Sequence, residues 1–147
     1  MNDIISIPNF YNISDSDKKI LIEDIFYSKR LHDSESNSPG ASTNFLVTKD
    51  RLNILKKMYD QILETCKNLF KEIDLADRNS TKCWSLCTNK DYWESVPHDH
   101  LKTSTINTVY YLQIPKIDNH FCGMIRFLMN DKWIDYQPKP NELLIIP

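Results

Sequence analysis

The sequence predicts an α+β fold, with helices first and an antiparallel β region after them. Three observations carry that reading. Between Thr48 and Ile73, the apolar residues Leu52, Leu55, Tyr59, Ile62, Cys66, Leu69 and Ile73 recur at alternating three- and four-residue steps. That spacing is one face of an α-helix. From Thr81 onward the pattern changes to period two and to short apolar runs parted by turn residues, as strands require. Finally, 147 residues suit a single domain with a sizeable core, so 1–80 is read as mainly helical support and 81–147 as the β core.

Taken in order, residues 4–12, IISIPNFYN, read as a short strand interrupted at Pro8, since proline removes a ladder donor. A helix follows. Ser14 is its N-cap, Asp17 completes a weak capping box, and Asp15 and Asp17 place negative charge at its positive end. Leu21, Ile22, Ile25 and Phe26 supply an apolar face. Ser28 to Thr43, SKRLHDSESNSPGAST, reads as a loop because it is Ser-rich and carries a Pro39-Gly40 turn signal. A surface connection is its plain reading and a lid the alternative. The helix over 48–73 should pack along the outside of a sheet, with Leu55, Tyr59, Ile62 and Leu69 buried and Lys56, Lys57 and Asp60 exposed. In TKCWSLC, Cys83, Ser85 and Cys87 face one side of a strand and Trp84 and Leu86 the other. Further strands are predicted near 92–100, 105–114, 121–129, 132–137 and 142–147.

The bulk numbers narrow the function classes. A hydrophobic fraction of 41% and a charged fraction of 26% are ordinary for a globular protein. A net charge of −2 with interspersed signs argues against a basic nucleic-acid-binding face. No apolar run approaches the length of a membrane span. The start, MNDIISIPNFYNIS, has neither a basic n-region nor a cleavable apolar core, so no signal peptide is expected. The expected location is the cytoplasm, that of the host if the chain is viral, with Cys66, Cys83, Cys87 and Cys122 as reduced thiols. Only two glycines occur, so turns must rely on Asn, Asp, Ser and Pro.

The residues with the most chemistry are His98 and His100. Two residues apart on an extended strand, their imidazoles point to the same side and suit a transition metal. The plain alternative is a pair of solvent-facing imidazoles. A zinc site from Cys83, Cys87, His98 and His100 has suitable donors. It is disfavoured because four residues of flat strand would separate the sulfurs by roughly 13 Å. Trp84, Tyr92, Trp93 and Trp133 are read as core or interface aromatics.

The order of pieces around the histidines is more informative than any one of them. His98-x-His100 is followed by TVYYLQIPK, then FCGMIRF around Gly123, then QPKPNELLIIP. Residues 93–147 thus resemble the double-stranded β-helix core of the 2-oxoglutarate and Fe(II)-dependent oxygenases, nearest to their prolyl-hydroxylase-like and phage-associated branches. The resemblance implies a jelly-roll core supported by the N-terminal helices, with Fe(II) and 2-oxoglutarate as cofactors. It implies His98 as the first metal ligand. His100 stands where the family usually carries a carboxylate, and Asp99 would point away from both histidines on a strand. Tyr111, the second Tyr of the YYL run, would help bind 2-oxoglutarate by donating to a carboxylate, the alternative being a barrel-wall aromatic. The distal His, the basic residue for the keto acid and the last strands of the core would follow Pro147.

The expectation is therefore a hydroxylase of unknown substrate, small molecule or protein. The alternative is a non-catalytic jelly-roll module that binds a small molecule or partner protein, with an open sheet edge available to a second copy.

Overall fold

A computed structural model of the chain describes residues 4–35, 43–44, 49–72, 84–85, 104–114 and 123–147. The described elements are strand β1 (Ile5–Ile7), helix α1 (Asp15–Glu35), strand β2 (Thr43–Asn44), helix α2 (Lys49–Leu69), and strands β3 (Trp84–Ser85), β4 (Asn107–Tyr111), β5 (Ile125–Met129), β6 (Lys132–Tyr136) and β7 (Glu142–Ile146). Two helices with small antiparallel sheets make the fold α+β. No closed barrel occurs among the described residues. The chain divides into two compact units, Met1–Asn12 with His98–Pro147 and, inserted between them in sequence, Ile13–Pro97.

In the inserted unit, α1 begins where Ser14 caps it. The Asp17 amide donates to Ser14 Oγ at 3.1 Å and the Lys18 amide to the Ser14 carbonyl at 2.8 Å. The cap thereby satisfies one of the amides that a helix start leaves without a carbonyl. Leu21 and Asp24 are buried, Ile22 and Ile25 are half-buried, and Phe26 is exposed. Phe26 thus drops out of the expected apolar face. It lies five residues beyond Leu21, roughly 140° around the helix axis. α1 runs on to Glu35, so Ser28–Glu35 is helix and not the expected loop. The segment SKRLHDSE contains neither Gly nor Pro, and a helix already nucleated extends cheaply through such residues. The breakers Pro39 and Gly40 come only afterwards, outside the described residues.

α2 keeps the predicted polar face, with Lys56, Lys57 and Asp60 exposed. Leu55, Tyr59 and Ile62 are half-buried, and Cys66 is fully buried. The buried residue at the helix end is Phe70 and not the expected Leu69, which is exposed. The helix stops at Leu69, short of Ile73, and the Phe70 amide closes the last turn on the Cys66 carbonyl at 2.9 Å. α1 contacts α2 and β2. β2 pairs antiparallel with β3 through Thr43↔Ser85 and Asn44↔Trp84.

The β unit is built around β7. Its sheet has the order β1-β7-β4, and β7 runs antiparallel to both neighbours. A strand paired on both sides and covered on both faces has to be a nearly continuous apolar run. ELLII is one, and Glu142, Leu143, Leu144 and Ile145 are all buried. The register places Ser6, Val109, Tyr111, Glu142 and Leu144 on one face. Ile5, Ile7, Tyr110, Leu143 and Ile145 take the other. On that second face Phe10 meets the Tyr110 ring edge-on, with centroids 6.5 Å apart.

Three turns in this unit place asparagine at positive φ, where glycine is the usual choice, and only Gly123 among the described residues is a glycine there. Pro140-Asn141 has proline at the second turn position and a φ of 61° at the third, the signature of a type II turn, with the Glu142 amide donating to the Lys139 carbonyl at 3.3 Å. Pro8-Asn9 repeats the proline-asparagine pair after β1, with Asn9 at a φ of 49°. β5 and β6 form a hairpin whose two-residue turn, Asn130-Asp131, takes positive φ at both positions, as a type I′ turn requires.

Candidate functional site

The face of the central sheet that carries Tyr111 holds a compact polar cluster. Glu142 is only 2% exposed, and its carboxylate is held from three directions. Ser6 Oγ on β1 donates to Oε1 at 2.5 Å, the Tyr136 phenol at the end of β6 donates to the same oxygen, and the Lys139 amide donates to Oε2 at 2.7 Å. Tyr136 Oη also lies 3.0 Å from Ser6 Oγ. Burial alone would push the Glu142 carboxyl up. The donors from Ser6, Tyr136 and Lys139, with the Lys139 charge, outweigh burial and hold it below the ordinary value, so the group is a carboxylate.

Tyr111 lies directly across the strand pair from Glu142. Its side chain is half-buried, and its phenol is pushed up to about 12, first by burial and then by the charges of Glu142 and Tyr136. It therefore stays protonated, a donor, throughout the physiological range. Among the described residues its hydroxyl makes no hydrogen bond. The neighbouring Tyr110 faces the opposite side and serves structure: its hydroxyl donates to Asn141 Oδ1 at 3.1 Å and lies 3.4 Å from the Tyr11 carbonyl.

His98 and His100 lie outside the described residues, as do Asp99, Cys83, Cys87 and the 92–100 strand. Among the described residues no group of three or more His, Cys, Asp or Glu is placed to hold a metal. Arg126 is spoken for: its Nε donates to Asp135 Oδ1 at 2.5 Å and Nη2 to Oδ2 at 3.0 Å across the β5-β6 pair. That contact, chiefly the hydrogen bond from Arg126, lowers the Asp135 carboxyl on an exposed surface. Beside it on the same hairpin face, Leu128 and Trp133 form an exposed cross-strand pair. No described helix is long and apolar enough to cross a membrane.

No family model, no curated protein and no solved structure matches the chain.

Of the predicted site residues, then, the structure describes Tyr111 and adds Glu142, Ser6 and Tyr136 around it. One signal for Glu142 was present in the sequence. It is a single charge opening an otherwise apolar run, at a position whose alternation faces inward. Ser6 and Tyr136 carried no signal, because their roles depend on pairing across 136 and 6 residues of sequence.

Proposed function

We propose that the chain is a 2-oxoglutarate and Fe(II)-dependent oxygenase of the hydroxylase type, built on a double-stranded β-helix core. The observation that carries the reading is Tyr111: a half-buried, protonated phenol whose donor is unused among the described residues, on the strand that follows the His-x-His pair. Two further features support it. The strand bearing Tyr111 pairs with the apolar strand that follows the Pro-Lys-Pro turn, and the strand around Phe127 forms a separate antiparallel hairpin. Separate antiparallel sheets are the raw material of a jelly roll.

The residues fit the implied cofactors as far as their chemistry goes. Two neutral imidazoles at His98 and His100 are suitable donors to Fe(II), with an exogenous or further protein ligand completing the set. Tyr111 would donate to a carboxylate oxygen of 2-oxoglutarate and so orient it. When bound, the metal would let dioxygen act as the oxidant, with the keto acid as the co-substrate oxidised to succinate and carbon dioxide, chemistry that no amino-acid side chain supplies. The protein's share is to hold the keto acid, present the substrate and exclude water.

The test is formation of succinate from 2-oxoglutarate with Fe(II) and ascorbate, alongside calorimetric binding of 2-oxoglutarate in the presence of Mn(II). The 147 residues should bind Fe(II) weakly and turn 2-oxoglutarate over poorly, and a chain extended by the distal His and basic residue that the resemblance implies should turn it over well; His98→Ala should lose metal-dependent binding, and Tyr111→Phe should weaken 2-oxoglutarate by about tenfold or more. Binding that ignores both substitutions would overturn the assignment. A second reading, a non-catalytic partner-binding module, is favoured by Leu128 and Trp133, which are 57% and 53% exposed side by side on the hairpin. It predicts no metal-dependent 2-oxoglutarate binding at all.

A further inference from the structure

The hairpin of β5 and β6 presents an apolar platform to solvent. Leu128 and Trp133 stand opposite each other on one face, and each is more than half exposed. What adjoins the platform narrows the choice of occupant. Asp135 lies two residues along β6 from Trp133, on the same face and roughly 7 Å away. Arg126 grips it at two points, Nε to Oδ1 and Nη2 to Oδ2. Each carboxylate oxygen thus takes one guanidinium donor and keeps a further lone pair. The result is a fixed acceptor beside an open indole, with its charge balanced by its partner.

A ligand that suits this face brings an apolar side, hydrogen-bond donors and no charge. A cation would gain from the indole and from Asp135, but it would meet the Arg126 guanidinium already in contact with that carboxylate. A proline-rich peptide stacks on an open Trp, yet it offers carbonyls in place of donors. A lipid surface would have to take in the hairpin tip, where Asp131 is exposed. A protein partner needs about 800 Å² on each side, and a half-exposed Trp and Leu supply on the order of 200 Å². A pyranose ring meets every demand: its C–H face lies on an indole and its hydroxyls donate at the rim. We propose that Trp133, Leu128, Asp135 and Arg126 form a binding site for a neutral saccharide. The sugar ring lies on Trp133, Leu128 widens the platform across the strand pair, and a sugar hydroxyl donates to Asp135. The site belongs to a different sheet from Tyr111 and does not rest on the oxygenase reading.

The test uses the full chain and four probes: cellohexaose, maltohexaose, chitohexaose and mannohexaose. The readout is the indole N–H signal of Trp133 in nuclear magnetic resonance, identified by its loss in Trp133→Phe. At least one probe should shift that signal saturably, with a Kd below about 10 mM. Trp133→Ala should weaken that probe by about tenfold or more, and Asp135→Ala by about threefold or more, read from the remaining amide signals of the hairpin. If Trp133→Ala loosens the hairpin, Trp133→Val removes the ring, keeps a side chain suited to a strand and is read the same way. A Trp133 signal that none of the four probes shifts by about 10 mM overturns the proposal, as does binding that survives loss of the ring. Two further titrations identify the competing occupants. A Trp133 signal that ignores every sugar but responds to phosphatidylcholine vesicles assigns the face to a lipid surface. One that responds only to rising protein concentration assigns it to a second copy. Either result overturns the saccharide site.

Discussion

At the scale of single residues, Glu142 ties β1, β6 and the turn before β7 to one buried carboxylate. Its carboxylate accepts only; a Gln that keeps its oxygen on the Lys139 amide turns its NH2 to the Ser6 and Tyr136 hydroxyls, which must then reverse from donors to acceptors, and the charge assistance of all three bonds is lost. Glu142→Gln should therefore cost about 1.5–3 kcal/mol at neutral pH, read from urea melts. The sign with pH follows from the direction of its shift. The folded-state carboxyl lies below the ordinary value near 4.5, so its contribution is fully present above that value and is lost as pH falls through the folded one. The gap between wild type and Glu142→Gln should close on acidification, and a gap that persists well below pH 4.5 would count against the assignment. Cys66 is the opposite case. Burial raises its thiol, so it should react with a maleimide only as fast as the helical unit opens.

At the scale of elements, caps and turns carry local information and strands carry packing. Ser14→Ala removes the side chain that holds the Asp17 amide and should cost about 0.5–2 kcal/mol. Asn141 combines a left-handed φ of 61° with acceptance from Tyr110. Asn141→Ala should be more damaging than Asn141→Gly, by about 1–2 kcal/mol, because only the alanine meets the steric penalty at positive φ. Equal losses would place the cost in the Tyr110 hydrogen bond instead. Leu144 has no exposure at all in the middle of the central strand, and Leu144→Ala should cost about 2–5 kcal/mol. Ile62, by contrast, is only half-buried on α2, so its truncation should fall below that range.

At the scale of the whole molecule, the β unit is closed by its two sequence extremes: β1 pairs with β7 through Ile5↔Ile145, Ser6↔Leu144 and Ile7↔Leu143. Residues 13–97 intervene as a separate compact unit. Removing residues 1–12 takes away one neighbour of β7, the Ser6 donor and the Phe10 ring together. Hydrogen exchange should then show the amides of Leu143–Ile145 losing protection while those of α2 keep theirs. Loss of protection throughout would mean that the two units unfold as one. Pairings so distant in sequence also carry a large loop-closure cost, so the β unit should form later than the helices.

Much of this protein was legible from residue order alone. The three-four spacing of α2, the Ser14 cap, the strands at 107–111, 125–129, 132–136 and 142–146, and the reliance on asparagine for tight turns are all short-range matters, decided by side-chain period and local sterics. The extension of α1 to Glu35 was misread because serine content was weighed above the absence of Gly and Pro. Tyr111 could be singled out from its motif, but not its circumstances. Which donors meet Glu142 depends on β1 bringing Ser6 to it from 136 residues away, and on how β6 and the Lys139 turn fold back onto a carboxylate only six and three residues further on. Local sequence specifies what each segment offers. Only tertiary pairing decides which offers meet, because a hydrogen bond is set by distances of a few ångströms and not by separation along the backbone.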